Sequence, residues 1–576
     1  MPSMRLASLA AVLVGAGVAL TVPAGPARAA PHPLLDPANG HGHLPNGKAV
    51  PHVSGSTEVS FDDERAQGAD VLGSAASDAP PDATASALGC ANRGSATNPR
   101  ANQDCTLRRQ AEEQVAVNPR DPTNVLVGQN DSRIGFNHCG FDYSLNRGVT
   151  FGDGLPPFWQ AFSPLGHTYD FASDPAVTFD GTGRAWFGCV VADVATNASG
   201  LIVTRSTPAL KASAFANVAQ FGSPFVVGQD ASGTVFFDKE FIAGDQRAGA
   251  TAVYVTFTRF LAEPFCKRPG NAGGFCESPI FISKWNSTSA RWTTPVEISG
   301  RSSLCTLGNT FSPRFAADAC NFDQGSFPVV LPNGDVFVVF NNGNTPTAVN
   351  QQLGVHVHVN GDVLTADPPV KVGVDDETNA ALCDFGRGPE QCVDSLNVRS
   401  NDFPTVALDP TNGNHLVAVW TDTRASVGKG NYDVVVSESA DGGAHWSDAG
   451  GGGTVLTTGG AFFFPSVAVT APGGRVVASM HRANTALHTA AVGDGTFGYG
   501  YQVKSATGFG GYIPASDSQT NPSPQANPAQ AGFLGDYSSV AASPTGDVVH
   551  MVWSDTRNSS SAGPDEDVFI FTTTVP

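Results

Sequence analysis

The stretch Phe403–Arg424, FPTVALDPTNGNHLVAVWTDTR, decides the fold. Apolar and polar residues alternate up to Leu408, break at Asp409-Pro-Thr-Asn-Gly413, and resume as Leu416-Val-Ala-Val-Trp420 before Thr-Asp-Thr-Arg424. Side chains on a strand alternate faces with a period of two, and the Asp/Pro/Asn/Gly cluster is turn chemistry. The segment therefore reads as two antiparallel strands joined by a short loop. It recurs. YSSVAASPTGDVVHMVWSDTR starts at Tyr537 and ends on the matching Asp-Thr-Arg557, and further copies start at Glu113, Asp174, Lys239, Phe327 and Phe464.

The seven copies stand roughly sixty to ninety residues apart, the spacing of a four-stranded blade with irregular outer loops. Third strands follow several of them, as in YDVVVSES, SPIFISKW and GLIVTRS. A sandwich would not repeat one hairpin in this way. The expected fold is all-β, a β-propeller of four-stranded blades. Counting hairpins gives seven blades; a ring closed by exchanging strands gives six. Composition agrees: only 15% of residues are charged, whereas Gly (64) and Pro (41) are abundant, which suits short strands and turns better than long surface helices.

Three segments are expected. Residues 1–29 have Arg5, an apolar run and Ala27-Arg28-Ala29, the features of a secretory signal peptide, so the protein is read as secreted and extracellular. Residues 30–108 are rich in Pro, Ala, Gly, Ser and His and read as a low-complexity linker or pro-segment, with one strand at STEVSF. The histidines of HGHLPNG bind metal adventitiously or stay disordered. Residues 109–576 form the propeller. Ten cysteines without a CxxC pair favour disulfides over zinc. Neighbour pairing would join Cys90–Cys105, Cys266–Cys276, Cys305–Cys320 and Cys383–Cys392, leaving Cys139–Cys189. A net charge of -20 argues against nucleic acid or an anionic membrane as partner. No stretch after the signal is long and apolar enough to span a bilayer. No cofactor or metal is expected, and the chain is read as a monomer.

Ser439-Ala-Asp441-Gly-Gly443-Ala-His-Trp446 follows the third strand of the fifth copy and fits S-x-D-x-G-x-x-W, the Asp-box. Ser144-Leu-Asn146-Arg-Gly148-Val-Thr150-Phe151 is a degenerate copy with Asn for Asp. In such a hairpin the carboxylate can accept backbone N–H groups, the glycines permit positive φ, and the Trp packs into the blade. With these motifs the region from about residue 109 onward resembles the sialidase-like (BNR-repeat) propellers. The resemblance implies an Asp-box at the blade periphery, away from the active site. It also implies a glycan substrate, three arginines on a sugar carboxylate, a Tyr–Glu nucleophile pair and an Asp acid/base. The chain departs from that family in having no Arg-Ile-Pro: Arg133-Ile134-Gly135 lacks the proline.

In a propeller, positions before a first strand cluster with positions after a second strand at the mouth of the central channel, a usual ligand site. The first set holds Glu113, Asp174, Asp238, Glu240, Asp402, Asp536 and Tyr537; the second holds Arg133, Arg259, Arg424, Arg482 and Arg557. The arginines are read in two ways, as locks between loops or as the grip on an anionic or hydroxyl-rich ligand such as a glycan. Tyr537 with Glu240 is the candidate nucleophile pair, with Asp238, Asp402 and Asp536 as candidate proton donors. The alternative is that Tyr537 fills the ring core and the acids cap turns. The overall reading is a glycoside hydrolase or a non-catalytic binding propeller. His356 and His358 share one strand face, with no further metal ligand assigned from sequence.

Overall fold

A hairpin with a neighbour on each side buries both faces of its strands, and the first two strands of the first and second sheets are buried at every position. The computed structural model describes residues 31–576 apart from 46, 59–93, 105, 107–108, 134–136, 207–222, 386–387, 394, 426–428, 457–460, 484–494, 523–532 and 558–565. The signal segment, Cys90 and Cys105 lie outside the described residues.

The seven first strands are Gln110–Val117, Phe171–Phe179, Val235–Gly244, Asp323–Val330, Thr405–Leu408, Ala461–Val469 and Ser539–Ala542. Each pairs antiparallel with the strand that follows it. A third strand joins every second strand. Six of these sheets add outer strands from the chain that follows. Every first strand packs beside the first strand of the next sheet, and the seventh packs beside the first. That cyclic order makes the fold a β-propeller with the first strands innermost.

The seventh sheet is completed from the other end of the chain. Arg100 bridges to Phe569, and Ala101 N–H donates to Val568 O at 2.8 Å. The Arg100 guanidinium, fully buried, pairs with Asp567 at 3.0 Å. Strand exchange thus closes the ring without removing a sheet.

Packing follows the period-two pattern. In Val125-Leu126-Val127 the two valines meet Val552, Val568 and Ile570 of the seventh sheet, whereas Leu126 meets Val177 and Phe187 of the second. Each such buried side chain contributes about 1.5–3 kcal/mol. An eighth, three-stranded sheet (Ala381–Asp384, Pro389–Val393, Val398–Arg399) lies between the fourth and fifth in sequence. The disulfides Cys139–Cys189, Cys266–Cys276, Cys305–Cys320 and Cys383–Cys392 are formed.

The N-terminal segment departs from the sequence expectation. Residues 31–58 are packed, not loose: Leu34, Leu35, Leu44, Val50 and Val53 enter one cluster with Phe236, Phe260, Phe275 and Phe322. A segment too polar to form its own core can still dock a few side chains on a surface built by others. Residues 55–58 form a helical turn where a strand was expected, and the end of STEVSF lies outside the described residues. The histidines are ordered too, with His41 and His52 stacked at 3.9 Å between ring centroids.

Candidate functional site

The first strands do not run straight into the channel. Pairing slips between Ala111 and Gln114, Ser173 and Ala176, Gln324 and Phe327, and Phe463 and Ser466, with a matching slip opposite Asp238–Phe241 in the third sheet. At each slip one residue has positive φ: Glu112 (60°), Asp174 (56°), Lys239 (51°), Gly325 (61°) and Phe464 (49°). A bulge spends one extra residue and re-aims its neighbours, and a non-glycine in the left-handed region costs about 1–3 kcal/mol. Three of the five positions hold charged residues, and these three meet.

Lys239 is the hub. Its Nζ lies 2.7 Å from Asp536, 3.2 Å from Asp174 and 3.7 Å from Glu112. Arg399, delivered by the eighth sheet, pairs with Asp536 at 2.9 Å and with Glu390 at 2.8 Å. Around these cations stand Glu112, Asp174, Asp238, Glu240 and Asp536, all buried. Burial, then the Asp174 carboxylate, pushes Asp238 up to about 8. The same two causes raise Glu240 and Glu112 well above the usual carboxylate range. Burial opposes ionisation of Asp536 too, but Arg399 and Lys239 outweigh it and hold its carboxyl down at about 2. The centre therefore sets acids whose carboxyls are raised beside Asp536, which the two cations keep ionised.

Residues 54–58 fill this centre, where an open funnel was expected. Ser54 N–H donates to Asp238 at 2.6 Å, and the Ser54 hydroxyl lies between Asp238 and Asp174, with its Oγ 2.8 and 3.0 Å from their carboxylate oxygens. Gly55 N–H donates to Asp536 at 2.9 Å, and Thr57 Oγ1 to Asp238 at 3.1 Å.

Of the sequence candidates, Asp238, Glu240, Asp536 and Tyr537 come together with Asp174. The Tyr537 ring lies 5.1 Å from Lys239 Nζ. Burial and the charges of Glu112, Asp174, Glu240 and Asp536 raise its hydroxyl well above the usual range. No hydrogen bond joins Tyr537 to Glu240. Among the described residues the Tyr537 hydroxyl has no hydrogen-bond partner, and neither Glu240 carboxylate oxygen bonds another residue. Asp402 lies in a different cluster, with Asp375 and Glu377, whose carboxylate oxygens lie within 4.8 Å of one another. Such an oxygen set suits a hard cation. Glu113 accepts from Ser554.

Three of the five arginines are held by carboxylates, and the other two stand over aromatic rings. Arg133 pairs with Asp131 and Asp153, Arg424 with Asp422 and Asp448, and Arg557 with Asp555 and Asp517. Arg259 stands over Phe281 and Arg482 over Tyr512. Sequence reasoning missed Lys239, Glu112, Arg399 and the Ser54–Thr57 insert. A lysine inside the apolar run TVFFDKEFIAG is the one signal that points to such a hub.

No known protein family matches the chain, and no curated protein matches it in sequence. Solved structures align with parts of it at low scores. The NanB sialidase from Streptococcus pneumoniae aligns with a TM-score of 0.35 at 8% identity, covering 81% of this chain and 68% of that one. The α-L-arabinofuranosidase from Fusarium graminearum gives 0.33 at 10% identity, covering 69% and 91%. A PL25 ulvan lyase gives 0.35 at 9% identity, covering 64% and 76%. At these scores no residue role is transferred.

Proposed function

We propose that the chain is a secreted, seven-bladed propeller of the sialidase-like class that hydrolyses an extracellular glycan at the ring centre, and that residues 54–58 hold this centre closed. The observation that carries the reading is the unpartnered pair of groups there. A buried tyrosine hydroxyl and a buried carboxyl with no hydrogen bond to another residue are costly to maintain, and such groups persist where function needs them. In this reading, opening the centre lets water in and ionises Glu240. Glu240 then takes the Tyr537 proton as the tyrosine oxygen bonds the anomeric carbon and the glycosidic C–O bond breaks. Asp238, titrating at about 8, protonates the leaving oxygen, and water finally displaces the sugar from Tyr537. Lys239 and Arg399 are already paired with carboxylates at the centre, so neither is free to grip an anionic sugar. A neutral glycan is the expected substrate, in place of sialic acid.

A second reading is favoured by the insert itself. Carboxylates that already grip a Ser-Gly-Ser-Thr backbone and its hydroxyls are suited to binding a peptide or glycan without turnover. One experiment separates the two. A β-carbon at Gly55 would lie 1.7 Å from Arg399 Nη1, so Gly55→Val displaces the insert. The Gly55→Val protein is expected to release sugar from a panel of neutral fluorogenic glycosides, and the added Tyr537→Phe change to abolish that release. No turnover by Gly55→Val across the panel sinks the hydrolase. Ligand capture on a glycan or peptide array that survives Tyr537→Phe supports the binding module.

A further inference from the structure

The fourth sheet carries a second constellation, at the end of its strands opposite the Gly325 bulge. His356 and His358, two apart on the strand Val349–Asn360, present both imidazoles on one face. The loop between the first two strands brings Asp335 up to them. One carboxylate oxygen, Asp335 Oδ2, lies 3.0 Å from His356 Nε2 and 3.2 Å from His358 Nδ1. The three donor atoms lie within 4.8 Å of one another, and the imidazole centroids are 4.5 Å apart. The carboxylate is fixed from behind: Val359 N–H donates to its Oδ1 at 2.9 Å and Asn333 Nδ2 to its Oδ2 at 2.8 Å.

Two features suit this group to an ion. First, the spacing suits an ion. Imidazole nitrogens and carboxylate oxygens bind Zn2+ at about 2.0–2.2 Å, so adjacent donors around one ion stand roughly 3.0–3.4 Å apart. Second, the far side of one imidazole is already oriented. His358 Nε2 lies 3.1 Å from Asp367 Oδ2; an ion taking Nδ1 displaces the proton that faces Asp335, while Asp367 keeps the Nε2 proton in place. A carboxylate behind a ligating histidine fixes the tautomer and raises the basicity of the ring. His356 and Asp367 also line a groove of about 650 Å3 whose other wall is the Asp-box turn, Asp441–Ala444.

We propose that Asp335, His356 and His358 form a divalent metal site of the zinc class, oriented by Asp367, with one coordination position open to this groove. Two imidazoles and one carboxylate favour Zn2+ over Ca2+ or Mg2+, which take oxygen donors, and three protein donors leave room for a water or a ligand hydroxyl.

The test is calorimetric titration of the full chain with ZnCl2, paired with Co2+ substitution read by visible absorption. One ion per chain and the intense bands of a tetrahedral Co2+ centre are expected. The paired change His356→Gln with His358→Gln abolishes both signals. Asp367→Asn keeps the stoichiometry and weakens binding about 10–100-fold. His41→Gln with His52→Gln, in the other histidine cluster, leaves the site intact. His356 and His358 are 29% and 50% exposed, and unchanged thermal midpoints without metal verify that their variants fold. Absence of saturable binding, or binding undiminished in the His356/His358 variant, overturns the site. An Asp367→Asn protein with unchanged affinity overturns the orienting role.

Discussion

Tyr537 is where structure and chemistry pull apart most clearly. A buried hydroxyl without a partner forfeits its hydration and gains nothing in return, a penalty of about 1–3 kcal/mol. Tyr537→Phe is therefore expected to stabilise the protein by roughly 1 kcal/mol in urea unfolding, even as it removes the proposed nucleophile. A loss of stability would mean that the hydroxyl is bonded in solution, and the tyrosine would then read as ring core. Its neighbours show what was legible residue by residue. Asp174, Asp238, Glu240, Asp536 and Tyr537 stand out as polar residues at the start of apolar strands, and they meet. Lys239 and Glu112 do not stand out, because alternation gives no sign of a bulge, and only the bulge turns them into the channel. Arg399 comes from a small inserted sheet that has no counterpart in the repeat.

At the scale of the element, the turn Ser439–Trp446 behaves as its chemistry dictates. Ser439 Oγ accepts from Gly443 N–H at 2.9 Å, Asp441 Oδ1 accepts from His445 N–H at 3.0 Å, and Trp446 Nε1 donates to Gly443 O at 2.9 Å. The degenerate copy repeats the scheme, with Asn146 Oδ1 accepting from Thr150 N–H at 2.9 Å and Ser144 Oγ from Gly148 N–H at 2.8 Å. The amide oxygen replaces the carboxylate at no cost to the turn, so the bonds and not the charge define the motif. The glycine matters more than the acid. Gly443 has φ +98°, and a β-carbon there would meet Phe337 Cε2 at 2.3 Å. Asp441→Ala should cost about 1 kcal/mol, the net value of a hydrogen bond, and Gly443→Ala distinctly more. Chemical denaturation of the two variants ranks them, and the reverse order would refute this account. The N-terminal segment, read from sequence as a linker or pro-segment, packs on the propeller over its described residues up to 58. Its average composition is that of a linker, yet five apolar side chains spread along it suffice to dock on a surface that the propeller supplies.

For the whole molecule, closure and protonation act together. The ring is shut by the buried Arg100–Asp567 pair and by Ser54–Thr57 at its centre, so both ends of the propeller chain and its N-terminal extension share one structure. The ring as a whole stores protons. Burial pushes Glu113 up to about 8, burial and then Asp174 do the same for Asp238, and burial lifts Asp323 to about 7. In the unfolded chain these carboxyls titrate near 4. Between about pH 4 and 8 the folded protein therefore binds more protons than the unfolded chain, and stability falls as pH rises through that window. Asp536 has the opposite sign. Its carboxyl is depressed to about 2, so its contribution is complete above about pH 4 and is lost as pH falls toward 2. The two effects place maximal stability in mildly acidic solution. The thermal midpoint is expected to decline steadily from pH 5 to pH 9 and to drop again below pH 3, as roughly set by these titrations. Glu113→Gln, a neutral isostere for an acid held protonated against Ser554, should flatten part of the alkaline limb. A midpoint that rises from pH 5 to pH 8, or a Glu113→Gln profile parallel to the parent, would show that the buried acids are ionised in the folded ring and would remove Asp238 as the proton donor.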